Sequence, residues 1–215
     1  MKPSRWERLA PLTGAASIVL YFVGFGLIGE VSGSATPSAD EVVELLEDSP
    51  DLRVVGAYVS LLSVALLLWF AATLRSRLRH SEGDAGGLAA LAFGGAVVAA
   101  AALAVGFSSI AQGAMRASSS RGVDPEAATI YYDLYRAMLS GAVPIGMAVF
   151  IGATGTAALR TATLPRRLAW ASIIVGIGCV SPLLFVFTFI ALLWVLVVSI
   201  WLYVGGRKEP RPADD

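Results

Sequence analysis

The chain has one cysteine, one histidine, one glutamine and no asparagine in 215 residues. Each scarcity closes a route. With Cys179 alone, no intramolecular disulfide can form, and the residue reads as a small core side chain. With His80 alone, two-histidine haem ligation and a multi-histidine zinc site within one chain are excluded. Lysine occurs only at positions 2 and 208. Charged residues make up 15%, against about a quarter in an ordinary soluble domain. So few charges cannot coat a water-facing surface of this size. No metalloprotease helix, nucleophile elbow or phosphate loop occurs, so no catalytic, cofactor or metal site is expected, and no nucleic-acid partner.

What is present is apolar sequence. The apolar fraction is 56% and the mean hydropathy is +0.72. Windows of about 18–20 apolar residues, enough to cross a bilayer, recur along the chain. They predict an all-α integral membrane bundle over 1–215, with spans near 12–29, 54–74, 88–111 and 138–159. The apolar core of the first window is longer than the roughly 7–15 residues of a signal peptide, so an uncleaved span is expected.

The final run, 168–204, is the difficult case. As one helix it would be about 55 Å long, against a hydrocarbon core of about 30 Å. Arg166 and Arg167 precede it, and Arg207, Lys208 and Arg211 follow it. Flanking basic residues stay in the cytoplasm, so both ends belong on one side and the chain must reverse between them. Ser181 can cap a returning helix, and Pro182 suits its first turn. Spans near 167–180 and 183–204 result, with a short charged cytoplasmic tail at 205–215.

Six spans put both termini inside. Twelve of the sixteen basic residues then lie on the inner side: Lys2, Arg5, Arg8, Arg75, Arg77, Arg79, Arg160, Arg166, Arg167, Arg207, Lys208 and Arg211. Arg53, Arg116, Arg121 and Arg136 fall outside. Trp6, Trp69, Trp170 and Trp201 mark inner ends, and Tyr58, Tyr131, Tyr132 and Tyr135 outer ones, as amphipathic rings prefer. The expected location is the plasma membrane.

Both extracytoplasmic loops predict helices. Ser38 and Glu41 have capping-box spacing, and Val42, Leu45 and Leu46 form an apolar stripe behind them. Asp124-Pro125-Glu126 is a helix start. Ile130, Tyr131, Leu134 and Tyr135 form its expected apolar face, and Asp133 can pair with Arg136.

No ionisable residue falls in the middle of a span, which argues against a carboxylate relay or a voltage sensor. The third span carries small residues at four-residue spacing, Ala92, Ala96, Ala100 and Ala104, then Ser108 and Gln112. The fourth carries Ser140, Pro144, Ala148, Gly152 and Thr156. Such ridges let helix backbones approach where lipid supplies no hydrophobic drive, so these two spans are expected to pack together. Ser108, Ser109, Gln112, Arg116 and Arg136 collect near the outer ends of the same two spans, a candidate polar pocket for an anionic head group.

The segments RWERLAPLTG, LRSRLR, GLAALAFGGAVV, LPRRLAWASIIVG and SPLLFVFTFIALLWVLVVSIWLY, taken together over most of the chain, resemble a family of small actinobacterial polytopic membrane proteins of unknown function. The resemblance implies a multi-pass plasma-membrane protein and carries no catalytic residues. The function expected is non-enzymatic: an accessory subunit with a membrane-protein partner, or a module binding membrane lipid or a small ligand. The alternative is a small transporter or exporter of an apolar substrate.

Overall fold

The computed structural model describes residues 9–31, 37–83, 86–120, 122–180 and 184–205, without the side chains of 184–188. The expected turn at Ser181-Pro182, Trp6, and the charges at 2, 5, 8, 121, 207, 208 and 211 lie outside these residues. The described chain is helical, with no strand. The elements are α1 (Leu12–Ile28), α2 (Ala39–Glu47), α3 (Pro50–Glu82), α4 (Gly87–Ala117), α5 (Pro125–Ala137), a π turn (Met138–Ala142), α6 (Val143–Thr161), α7 (Arg166–Gly178) and α8 (Leu184–Gly205). Three helices are long and apolar enough to cross a bilayer: α3, α4 and the continuous α5–π–α6 rod, Pro125–Thr161. They mark the chain as a membrane protein. α1 and Phe189–Gly205 of α8 are shorter apolar helices.

Local chemistry sets the helix ends. Ser38 and Glu41 complete a reciprocal capping box at the start of α2. Asp124 accepts a hydrogen bond from the Ala127 amide, and Pro125 takes the first position of α5, where its missing N–H costs nothing. Two apolar windows understate their helices. α3 continues through the RSRLRH segment to Glu82, so His80 is helical rather than in a loop. α5 runs into α6 through the π turn, which ends two residues before Pro144, a residue that cannot donate to the ladder.

Side-chain contacts fix the direction of each leg. Gly14 meets Phe70 and Gly24 meets Ser60, so α1 and α3 are antiparallel. Gly95 meets Phe150 and Gly113 meets Tyr131, so α4 runs against the α5–α6 rod. Gly155 meets Ala169 while Gly176 meets Ala148 and Gly152, so α7 runs against α6. The Trp194 indole N–H donates to the Ser172 hydroxyl at 2.7 Å. In one straight helix those residues would stand about 33 Å apart, so the chain reverses between α7 and α8. α8 then closes on α1: the Ser199 hydroxyl donates to the Pro11 carbonyl and accepts from the Ala15 amide at 3.0 Å. It sits inside the first hydrogen-bonded turn of α1.

The tightest crossings are backbone on backbone. A Cβ on Gly146 would stand 2.5 Å from the Ala99 nitrogen, and one on Gly95 would stand 2.5 Å from the Phe150 nitrogen. Gly24 and Gly56 make the same contact between α1 and α3. The third and fourth apolar windows thus meet, but not along the expected ridges. On α4 the crossing runs through Gly95 and Ala99 instead of Ala96 and Ala100. On α6 the expected ridge faces α7 instead, where Gly176 packs on the Ala148 and Gly152 backbone. Both helices are apolar on every face, so spacing alone could not choose between rows.

Around these crossings lies a dry core. Phe150 stands edge-on to Phe70 at 6.4 Å and to Trp194 at 5.6 Å. Buried hydroxyls mostly turn back on their own helices: Ser17 to Gly14, Ser63 to Ser60 and Thr154 to Phe150. The outward surface is an apolar band including Val19, Phe22, Leu62, Val98, Val105, Leu193 and Ile200, the face such helices present to lipid.

Gly95→Ala and Gly146→Ala are each expected to destabilise the protein by about 1–3 kcal/mol, read as a lower melting temperature in detergent. Gly94→Ala, where a Cβ meets nothing within 4 Å, should be neutral or stabilising by up to about 1 kcal/mol. Equal losses at all three would remove the crossing as the cause.

Candidate functional site

The polar chemistry gathers at one end of the bundle, where α2 and α5 form a lid over α1, α3 and α4. Amphipathicity makes the lid. α2 buries Val42 and Leu46 and turns Asp40, Glu41, Glu44 and Glu47 outward. Leu46 reaches Gly113 of α4, and α5 lies alongside with Tyr132 and Tyr135 buried. The buried face of α5 differs from the expected one: Ile130 and Leu134 are 60% and 39% exposed. They add to the apolar outer surface of the bundle.

Arg53 fastens the lid. The sequence placed it at a span end as an ordinary outer charge. Instead it is 7% exposed, with one guanidinium nitrogen 2.6 Å from the Ile28 carbonyl and another 3.2 Å from Asp48. It thus joins the last turn of α1, the end of α2 and the first turn of α3. A signal for this was present. A cation in the first turn of a helix opposes the helix dipole, so it must be held by something else, here the carbonyl end of α1.

Beneath the lid is an aromatic cluster. Tyr21 meets Phe107 at 6.0 Å, and Phe107 meets Tyr135 at 6.1 Å. The Tyr135 hydroxyl is buried and has no hydrogen-bond partner among the described residues, an arrangement that costs stability.

The five residues singled out from sequence take separate positions. Ser109 is buried, and its hydroxyl donates to the Tyr131 carbonyl at 2.6 Å. Ser108 and Gln112 are exposed on the outward face of α4. Arg116 lies over the Tyr131 ring at 5.6 Å and Arg136 over the Tyr132 ring at 5.9 Å. The expected Asp133–Arg136 ion pair does not form. Arg136 follows Tyr135, whose carbonyl faces Gly106. That level is about 15 Å down α4 from Arg116, so the two arginines do not share a pocket. Arg116 instead borders an open recess of about 510 Å³, with Ser119, Gly122, Val123, Asp124 and Ala127. The recess pairs a cation from the end of α4 with a carboxylate from the start of α5. The sequence reading used Asp124 only as a cap.

Arg53→Ala should cost about 1.5–3 kcal/mol, the worth of a charge-assisted bond whose partner stays behind, and should expose α2 to limited proteolysis. Asp48→Asn should cost under about 1 kcal/mol because that carboxylate is largely solvated. Tyr135→Phe removes an unpaired hydroxyl and should leave the melting temperature unchanged or raise it. A clear drop would mean that the hydroxyl pairs with a bound water or ligand.

Comparison with known proteins gave no matching family model, no matching curated protein and no matching solved structure.

Proposed function

We propose that the chain is a six-span plasma-membrane protein, akin to the actinobacterial proteins its sequence resembles, acting without catalysis. Its role in this reading is that of an accessory subunit or a module that binds lipid or a small ligand. The observation that carries the reading is the closed centre. Gly95 and Gly146 bring two backbones into contact, and Phe70, Phe150 and Trp194 fill the space beside them. A carrier of an apolar substrate needs a path that opens through this layer. Opening it would separate contacts with no slack on either side.

The side assignment rests on charge. The end opposite the lid carries Arg75, Arg77, Arg79, Arg160, Arg166 and Arg167, and the lid carries Asp40, Glu41, Glu44, Glu47 and Asp48. The arginine-rich end is then cytoplasmic, and an even number of legs returns both termini to it. α7, at 13 residues, spans only about 20 Å.

Single cysteines in a Cys179→Ala background test both parts. Ser119→Cys should react with a membrane-impermeant maleimide on intact cells, and Ser81→Cys only after permeabilisation. Thr154→Cys, at the packed centre, should react in neither case. The reverse pattern at 119 and 81 would invert the orientation. Reaction at 154 would show a wetted path and favour the transporter.

A further inference from the structure

The outward face of α4 changes polarity in steps as it leaves the recess. Arg116, Gln112, Ser108 and Val105 follow one another at spacings of four, four and three residues, so they share one face. All four are exposed. Measured from Arg116, they descend by about 6, 12 and 16 Å. Among the described residues, no carboxylate comes within ion-pair distance of Arg116, and the Gln112 and Ser108 side chains make no hydrogen bond. A free amide and a free hydroxyl on the outer face of a membrane helix need a polar partner that arrives from outside the chain. On α5, Ala127 borders the same recess, and Ile130 and Leu134 follow it at spacings of three and four residues, 60% and 39% exposed.

The recess itself offers both signs of charge. Arg116 lies over the Tyr131 ring at 5.6 Å, and its five N–H donors remain for an oxyanion. Asp124 accepts one bond, from the Ala127 amide, and keeps further lone pairs. A purely anionic head group would meet Arg116 but be repelled by Asp124. A group with a phosphate and a primary ammonium satisfies both. A quaternary ammonium cannot donate to Asp124, and the nearby Tyr131 face is already covered by Arg116.

We propose that the recess and the stripe below it are a seat for one zwitterionic phospholipid with a primary-amine head group, of the phosphatidylethanolamine kind. Arg116 holds the phosphate and Asp124 the ammonium. Gln112 and Ser108 donate to the glycerol ester carbonyls, and Val105, Ile130 and Leu134 carry the acyl chains. The order of polarity along α4 is the order along such a lipid. The seat rests on the membrane placement of these helices, and on neither the accessory role nor the side that each end faces.

Native mass spectrometry of delipidated protein in mild detergent tests it. The probes are phosphatidylethanolamine, phosphatidylglycerol and phosphatidylcholine with matched chains. The ethanolamine lipid should bind about tenfold more tightly than either of the others, the worth of one added charge-assisted contact. Asp124→Asn keeps a competent helix cap and removes the charge, so it should abolish that preference and strengthen phosphatidylglycerol binding. Arg116→Gln should weaken all three by about tenfold with an unchanged melting temperature. Chain-free phosphoethanolamine should compete only at far higher concentration. Equal affinity for the three lipids in the unaltered protein overturns the seat, as does a preference that survives Asp124→Asn. Equal potency of phosphoethanolamine overturns the lipid as occupant. None of these results depends on labelling at position 154, so failure of the seat and failure of the closed-centre reading are separately visible.

Discussion

Close backbone contact at glycine is the constraint from which this bundle is built. Lipid gives two apolar helices little reason to prefer each other over acyl chains, so cohesion must come from dispersion and fit. Both depend steeply on distance. Gly24 against Gly56 sets α1 on α3, and Gly95 against Gly146 sets α4 on the long rod. Gly155 and Gly176 seat α7 on the rod's other side. Phe70, Phe150 and Trp194 fit the spaces that these approaches leave. Pulling the helices further apart would open voids beside the rings.

The lid end follows a second logic. There the helices stop, and their last carbonyls and first amides need partners. The chain answers with local caps at Ser38 and Asp124 and with one distant one, Arg53. The arginine does at a helix C-terminus what a bound cation would do, and it brings Asp48 with it. Its burial ties three helix ends to one guanidinium. The recess by Arg116 lies on the outer side of the same lid, where the polar groups are not consumed by the fold.

Much of this was legible in the residues. The capping box, the Asp-Pro helix start and the reversal before α8 follow from rules that act over a few residues or from the length of a bilayer. What the sequence could not show is which row of a uniformly apolar helix meets which neighbour. Ala96 and Ala100 read as well as Gly95 and Ala99, because at that level both rows are small and apolar. On α5 the expected apolar face included Tyr135 but not Tyr132, which is buried as well. Among the five polar residues read as one pocket, spacing along each helix was known but the depth of one helix against another was not. That offset separates Arg136 from Arg116. Arg53 differs: its place in the first turn of α3 signals that it needs a partner, but that partner carbonyl is 25 residues away in sequence and no local pattern identifies it.

The bond from Ser199 to the first turn of α1 has a bearing on how the protein is made. α1 is translated before the other described helices and α8 after them, so the two helices joined by this hydroxyl are separated by the synthesis of all the rest. Until α8 arrives, α1 rests on α3 and, through Tyr21, on Phe107 of α4, and its Ser199-facing flank is open. Completion of the circuit therefore waits for α8. A chain cut short before Ser199 would hold the same glycine crossings and still present an unfinished edge. That edge is what membrane quality control would have to recognise.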